Sequence, residues 1–394
     1  MDIPFLIAEA VKRHHNVAVS LSDDLYHHPE LSDQEFRSSQ KIVDILRQAG
    51  YEVEYPYLGY PTAFRAVLDN GKGPSAAILV EYDALPGLGH ACGHNVHGSI
   101  SVLAALALSD LREQFKGKVY VFGTPAEEAN GAKVGMARQG VFDDMSLAIM
   151  FHSWSGGKCV ANMSLLGLRC YLVEFLGKEA HAAGSPWKGH NALTAARKFL
   201  DLIDARRECF TADVRVNGII TDGGISPNVL PGRAEVRLEF RADSMGKLKY
   251  MDEVVRKCAQ GAAIALDCEA SFTEGFEGFS DLVRVPVLER AVLEELGALG
   301  IPHDEVEMPS GSSDIGNVSY RCPAIQPLLP ISDTFYPLHT PEFREETIKA
   351  PAHEAMLAGA QTIASLTLRT LNDSAFRAEV RESFESAKAQ KLDV

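Results

Sequence analysis

Residues 89 to 98, "GHACGHNVHG", gather His90, Cys92, His94 and His97 in a chain that has only 13 His and 7 Cys. A thiolate and a neutral imidazole two positions apart can aim at one centre only from a turn or extended segment, and that donor pair suits zinc, manganese or a similar divalent ion. A second group lies in "GTPAEE", where Glu127 and Glu128 follow an apolar run. One carboxylate there could ligate a metal while its neighbour takes a proton from an attacking water. A third run, "LAIMFHSW", delivers His152, and "FYPLHTPEF" delivers His339.

Each piece has an ordinary structural explanation by itself. A C-x-H in a glycine-rich turn can be a turn feature, paired glutamates suit the start of a helix, and a histidine can close a strand. A metal centre accounts for all four segments at once. Five candidate donors exceed the four of a structural zinc and fit two ions with bridging water. They are also dispersed, from residue 92 to residue 339, rather than packed into one knuckle. His90 reads as part of the turn and His97 as the start of a helix. The remaining cysteines read as small buried hydrophobes, and His14, His15, His27 and His28 as surface or packing residues of an N-terminal helix.

The elements that must position these residues alternate. "AAILVEYDALP", "GKVYVFGTPAEE" and "LAIMFHSW" are near-continuous apolar runs ending in polar residues, the pattern of strands covered on both faces. Between the first two lies the apolar-periodic helix "VHGSISVLAALALSDLREQF". Strand, helix and strand in this order predict an α/β sheet with its chemistry at the strand ends. Upstream, "SDQEFRSSQKIVDILRQAG" predicts an amphipathic helix with Ser32 as its cap, Glu35 three residues on, and a stop at Gly50. From residue 164 to 276 the pattern changes to strand-like runs around two helical ones. This predicts an inserted α+β domain, with residues 1–163 and 277–394 forming the two parts of the larger domain. A long C-terminal helix is expected from Pro351.

The chain has 394 residues, 46% of them hydrophobic and 23% charged, as in an ordinary globular protein. A net charge of -15 argues against nucleic acid and anionic membrane as partners. The odd, scattered cysteines predict free thiols in a reducing compartment. "MDIPFLIAEAVKRHHN" lacks the pattern of a leader peptide, and no run reaches the roughly 18 apolar residues of a membrane helix. The expectation is a cytoplasmic protein.

In order along the chain, "LYHHPELSDQE", "VEYDALPGLGHACGHNVHG", "GTPAEE", "FHSW" and "LHTPEF" resemble the signature segments of the aminoacylase and glutamate-carboxypeptidase superfamily of metallopeptidases, in its amidohydrolase branch. That branch includes hippurate, auxin-conjugate and aminobenzoyl-glutamate hydrolases. The resemblance implies a mixed-sheet α/β catalytic domain with helices on both faces, and an inserted domain that makes a homodimer and closes over substrate. It implies Cys92, His94, Glu128, His152 and His339 as ligands of two divalent metals, Glu127 as general base and acid, and Asp83 as a support behind the ligands. A histidine at the position of His181 would hold the substrate oxyanion, commonly in the partner subunit's site, and Asn228 and Arg241 would face substrate. Two departures stand out. Asn95 replaces the usual Asp of "CGHD", and "SGSSDIGNVSYRCPAIQP" replaces an "EDF"-like segment. Both resemble the aminobenzoyl-glutamate hydrolase and β-alanyl-dipeptidase side of the branch. The lid segment "AHAAGSPWKGHNAL" fits relatives only in outline.

The reaction so implied is hydrolysis of an amide joining an acyl or aminoacyl group to an amino acid. Two rivals remain at this stage. One is a deaminase or deacylase acting on an aromatic amine in the same site. The other is a non-catalytic metal-containing binding protein, against which the paired Glu127 and Glu128 speak, since pure binding needs no unliganded base.

Overall fold

The computed structural model describes residues 2–275, 278–304 and 311–392. They divide into two compact units: Met1–Ser164, Leu282–Pro309 and Ser313–Gln390 form the first, and Leu165–Asp281 with Ser310–Ser312 and Lys391–Val394 the second. Each has its own apolar core. The boundary expected at 276/277 lies outside the described residues.

The first unit is built on a mixed six-stranded sheet in the order Glu52–Glu54, Phe64–Asn70, Gly117–Gly123, Ser75–Val80, Leu147–Ile149, Ala324–Ile325. The two pairings at the Glu52–Glu54 edge are antiparallel and the other three parallel. Every residue from Ala76 to Val80 is buried, so both faces of that strand are covered, as its unbroken apolar run requires. The helix His94–Asp110 is buried from His94 through Leu108, and so is apolar nearly all round instead of striped.

"LAIMFHSW" is not one strand. Leu147–Ile149 belongs to the six-stranded sheet, whereas His152–Trp154 belongs to a four-stranded sheet in which Leu328–Pro330 pairs parallel to it. His152 therefore opens a strand instead of closing one. Ser32 is not a helix cap either. The helix Phe36–Gln48 begins after Glu35, and the Ser32 hydroxyl donates to Asp83 Oδ2 at 2.8 Å. A capping pattern and a long-range hydrogen bond look alike in sequence, because both need a short hydroxyl side chain in a non-helical turn.

In the second unit, strands Arg215–Asp222, Arg233–Ala242, Gly167–Leu176 and Glu269–Glu274 form an antiparallel sheet in that order. Helices Ala192–Arg206 and Met245–Ala265 pack against it, capped by Asn191 and Ser244. Sequence reading did not single out Arg215–Asp222. It is an edge strand with most of its residues exposed, so it lacks the clean apolar alternation that marks a covered one.

Candidate metal centre

Three neighbouring parallel strands deliver the chemistry. Ser75–Val80 runs into Glu81 and Asp83 and then the turn holding Cys92; Gly117–Gly123 runs into Glu127 and Glu128; Leu147–Ile149 leads to His152. Val80 and Gly123 are register partners, so the first two strands end side by side. Their carboxyl ends make the crevice that such sheets use for ligands.

Gly93, just before the helix, has φ 83°, and a Cβ there would stand 2.6 Å from Ser153 Cβ. Only glycine lets Cys92 and His94 turn toward one point so close to the strand that carries His152. In the turn after Gly117–Gly123, Ala126 is held at φ 60°, a costly conformation for a residue with a Cβ. Its N–H donates to Glu35 Oε1 at 2.9 Å, and its carbonyl accepts from Gly131 N–H at 2.7 Å. The buried Glu35 thus shapes the turn that aims Glu127 and Glu128. His339 is also left-handed, at φ 62°, and its N–H donates to the Ala91 carbonyl at 2.9 Å. The loop before it is tied to the segment after His152 through Ser155 Oγ, which accepts from Tyr336 N–H at 2.9 Å and donates to its carbonyl at 2.8 Å.

The donor atoms converge. Cys92 Sγ is 3.4 Å from His152 Nε2, His94 Nε2 is 3.7 Å from Glu128 Oε1, and His339 Nε2 is 3.5 Å from Glu128 Oε1. Ligands about 2.0–2.3 Å from a tetrahedral ion stand roughly 3.5 Å from one another, so these spacings fit a metal. Cys92, His94 and His152 form one triad; Cys92, Glu128 and His339 form a second that shares the thiol. His94 Nε2 and Glu128 Oε1 are buried without a hydrogen-bond partner among the described residues, as ligand atoms would be.

Outer partners set which imidazole nitrogen faces the group. His94 Nδ1 lies 2.9 Å from Asp83 Oδ1, so Nδ1 carries the proton and Nε2 points inward. His152 Nδ1 donates to the Ser153 carbonyl at 2.8 Å, which leaves the Nε2 of this ring bare toward Cys92. Asp83 spends its other oxygen on the Glu128 N–H, at 3.0 Å, and on Ser32. Burial opposes charge on His94, but the Asp83 carboxylate outweighs it and holds the ring well above the ordinary imidazole range. Burial instead takes His152 down to about 4 and keeps it neutral. Burial, then the neighbouring Glu81, Asp314 and Glu128 charges, pushes Glu127 well above the usual carboxylate range. A carboxyl so placed can both accept and return a proton near neutral pH.

Glu81, Lys133 and Asp314, which sequence reading passed over, lie directly behind the donors together with His97. His97 is more than a helix start: its Nε2 is 3.0 Å from Glu81 Oε2, and its ring stacks on His152 at 4.7 Å between centroids. Strand alternation could have found Glu81, which shares a face with Asp83 two residues on. Asn95 lies on the other side of the helix, where its Nδ2 donates to Ser22 Oγ at 3.1 Å, so it serves helix packing and not the donor group.

The second unit holds His181, Asn228 and Arg241. His181 pairs with Val229 across a two-stranded ribbon, and the Asn228 carbonyl accepts Ala182 N–H at 2.9 Å, so His181 and Asn228 are neighbours. The exposed His181 accepts Gly184 N–H on Nδ1 at 2.9 Å, which leaves Nε2–H as an outward donor. Arg241 is elsewhere. The ribbon adjoins the Arg233 end of its strand, where Gly177 N–H donates to the Gly232 carbonyl, and Arg241 is eight residues further along, about 26 Å at strand rise. There its guanidinium meets Glu239 Oε1 at 2.8 Å.

An α/β sheet whose parallel strand ends gather Cys, His and Glu donors beside an uncommitted carboxylate defines a class, the metal-dependent hydrolases. The model of peptidase family M20/M25/M40 matches residues 77–364. The mouse (Mus musculus) Xaa-Arg dipeptidase is 34% identical over 383 residues, covering 93% of this chain and 88% of its own. A p-aminobenzoyl-glutamate hydrolase subunit of Escherichia coli (strain K12) is 28% identical, covering 97% and 94%. Among solved structures, the Bacillus subtilis YXEP protein, described as a dinuclear metal binding peptidase of the M20 family, shares the fold with a TM-score of 0.71, at 23% identity and covering 91% of this chain and 99% of its own. The chain belongs to peptidase family M20/M25/M40, and it is a metal-dependent hydrolase of amide bonds.

Proposed function

We propose that the chain cleaves the amide joining an acyl or aminoacyl group to an amino acid, of aminobenzoyl-glutamate or β-alanyl-dipeptide type, with two divalent ions of the zinc or manganese class. The reading rests on the two donor triads that share Cys92. Bound there, the ions would polarise the substrate carbonyl and bring the pKa of water from about 15.7 towards about 7. Glu127 takes the proton of the attacking water and returns it to the leaving amine. Asp83 keeps His94 in the ligating tautomer. His181, through its Nε2–H, serves the developing oxyanion, and Asn228 beside it contacts substrate; Arg241, paired with Glu239 and about 26 Å along its strand from that ribbon, is left out of this group. The names of the two relatives, a dipeptidase and an aminobenzoyl-glutamate hydrolase subunit, favour a leaving group that is a charged amino acid.

The inserted unit is assigned to a homodimer. In support, Arg215–Asp222 is an edge strand that leaves Ile219 62% exposed, and such an edge favours pairing with a second chain. Seven free cysteines favour the cytoplasm. No helix among the described residues is long and apolar enough to cross a membrane.

The deciding experiment is a metal-supplemented screen of aminobenzoyl-glutamate, β-alanyl dipeptides, N-acetyl amino acids and simple anilines, with both products identified by mass spectrometry. Cleavage of the first two classes, abolished by chelator and restored by Mn²⁺ or Zn²⁺, is expected. Turnover confined to anilines would point to the aromatic-amine reaction, and a metal-replete chain inert across the panel would defeat the proposal.

A further inference from the structure

Lys133 is fully buried, and its ammonium lies 2.6 Å from Glu81 Oε1 and 2.6 Å from Asp314 Oδ1. Asp314 Oδ2 also accepts the Lys133 N–H, at 3.2 Å, so the lysine is gripped at both ends. The chain of contacts continues. Glu81 Oε2 is 3.0 Å from His97 Nε2, and His97 Nδ1 accepts the Ser153 N–H at 3.2 Å. Because a backbone N–H can only donate, Nδ1 is the bare nitrogen and Nε2 carries the proton that Glu81 receives. Asp314, Lys133, Glu81, His97 and Ser153 therefore form one continuous buried network, and every link has a donor and an acceptor.

Its two ends matter. Ser153 follows the metal-ligand candidate His152, whose ring lies against that of His97. At the other end, carboxylate oxygens of Glu81, Asp314 and Glu127 lie within 4.8 Å of one another. Buried carboxylates this close need a counter-charge, and here the Lys133 ammonium supplies it. A neutral residue at 133 would leave Glu81 free to turn toward His94 Nε2, which is already only 3.6 Å from Glu81 Oε2.

We propose that Lys133 is a positioning residue for the metal centre. Held by Asp314, it fixes Glu81, which sets the His97 tautomer, which in turn seats the strand that presents His152. The inference rests on the metal reading given above. A fully satisfied buried network of this kind specifies one arrangement of its members, and groups behind metal ligands typically change metal affinity 10- to 100-fold when altered.

The test compares wild type with Lys133→Met and Asp314→Asn. Zn²⁺ affinity is measured by chelator competition, kcat and KM on the substrate found in the screen, and the His97 tautomer by ¹⁵N NMR of the metal-free chain. Wild type should show the Nε2–H tautomer. Lys133→Met should lose it, bind Zn²⁺ roughly 10- to 100-fold more weakly and lose kcat with KM within about threefold. Asp314→Asn leaves the ammonium in place and should move each quantity in the same direction by less, and it carries the test alone should Lys133→Met fail to fold. Variants that lower thermal stability while tautomer, Zn²⁺ affinity and kcat all stay at wild-type values would overturn the inference and leave only a packing role. Wild type that binds no divalent ion would instead overturn the metal reading, and the inference with it.

Discussion

Asp83 and His94 are joined by a 2.9 Å hydrogen bond at Nδ1, which leaves Nε2 as the imidazole nitrogen aimed at Cys92, Glu127 and Glu128. Asp83→Asn keeps the shape of the side chain but removes the charge. It should weaken metal binding 10- to 100-fold with little change in fold, as read by chelator competition beside circular dichroism. His94→Ala should abolish binding at that site altogether, as measured by elemental analysis.

Glu127 lies outside both triads that contain Cys92, although it also groups with His94 and Glu128, and the proposed mechanism gives it proton transfer instead of ligation. Glu127→Gln should therefore retain the wild-type metal content while losing about 10²- to 10⁴-fold in kcat, the usual span for a general acid–base group. Elemental analysis and steady-state kinetics on one sample separate the two effects. Normal turnover would remove Glu127 from the mechanism.

Burial, with the Asp83 charge adding to it, raises Glu35 from an ordinary 4.5 to about 7. Between those values the folded chain holds a proton that the unfolded chain releases. The contribution of this group is therefore full below about 4.5 and is lost as pH rises through about 7, an effect on the order of 3 kcal/mol. Urea unfolding in chelator from pH 5 to pH 8 should show the decline, and Glu35→Gln, which cannot ionise, should make it shallower while leaving the part due to the buried Glu127 and Asp314.

Gly93→Ala places a methyl group 2.6 Å from Ser153 Cβ at φ 83°. Either the turn or the strand must give way. The variant should lose about 1–3 kcal/mol of stability together with metal affinity, whereas Gly50→Ala, at φ 85° with nothing within 4 Å, should lose stability alone. Thermal melts with and without Zn²⁺ distinguish the two.

Much of this site was legible in the chain alone. The donor types in "CGH", "AEE", "FHS" and "LHT" follow apolar runs, and such runs must be covered strands whose ends are free to carry polar groups. Arg215–Asp222 escaped because an exposed edge strand has no covered face to impose an apolar pattern. Ser32 misled because its partner, Asp83, is 51 residues away.

The types and order of the candidate donors, and the covered strands before Asp83 and Glu127, could be read from local periodicity. Packing settled the rest: which imidazole nitrogen faces the group, that His152 opens a strand in a second sheet, and that Asn95 serves helix packing. It also decided that Lys133 meets Asp314 across 181 residues. The physical reason is that such contacts depend on strand register and on how buried charges find counter-charges. Both are settled when distant segments pack together, and neither leaves a period in the chain.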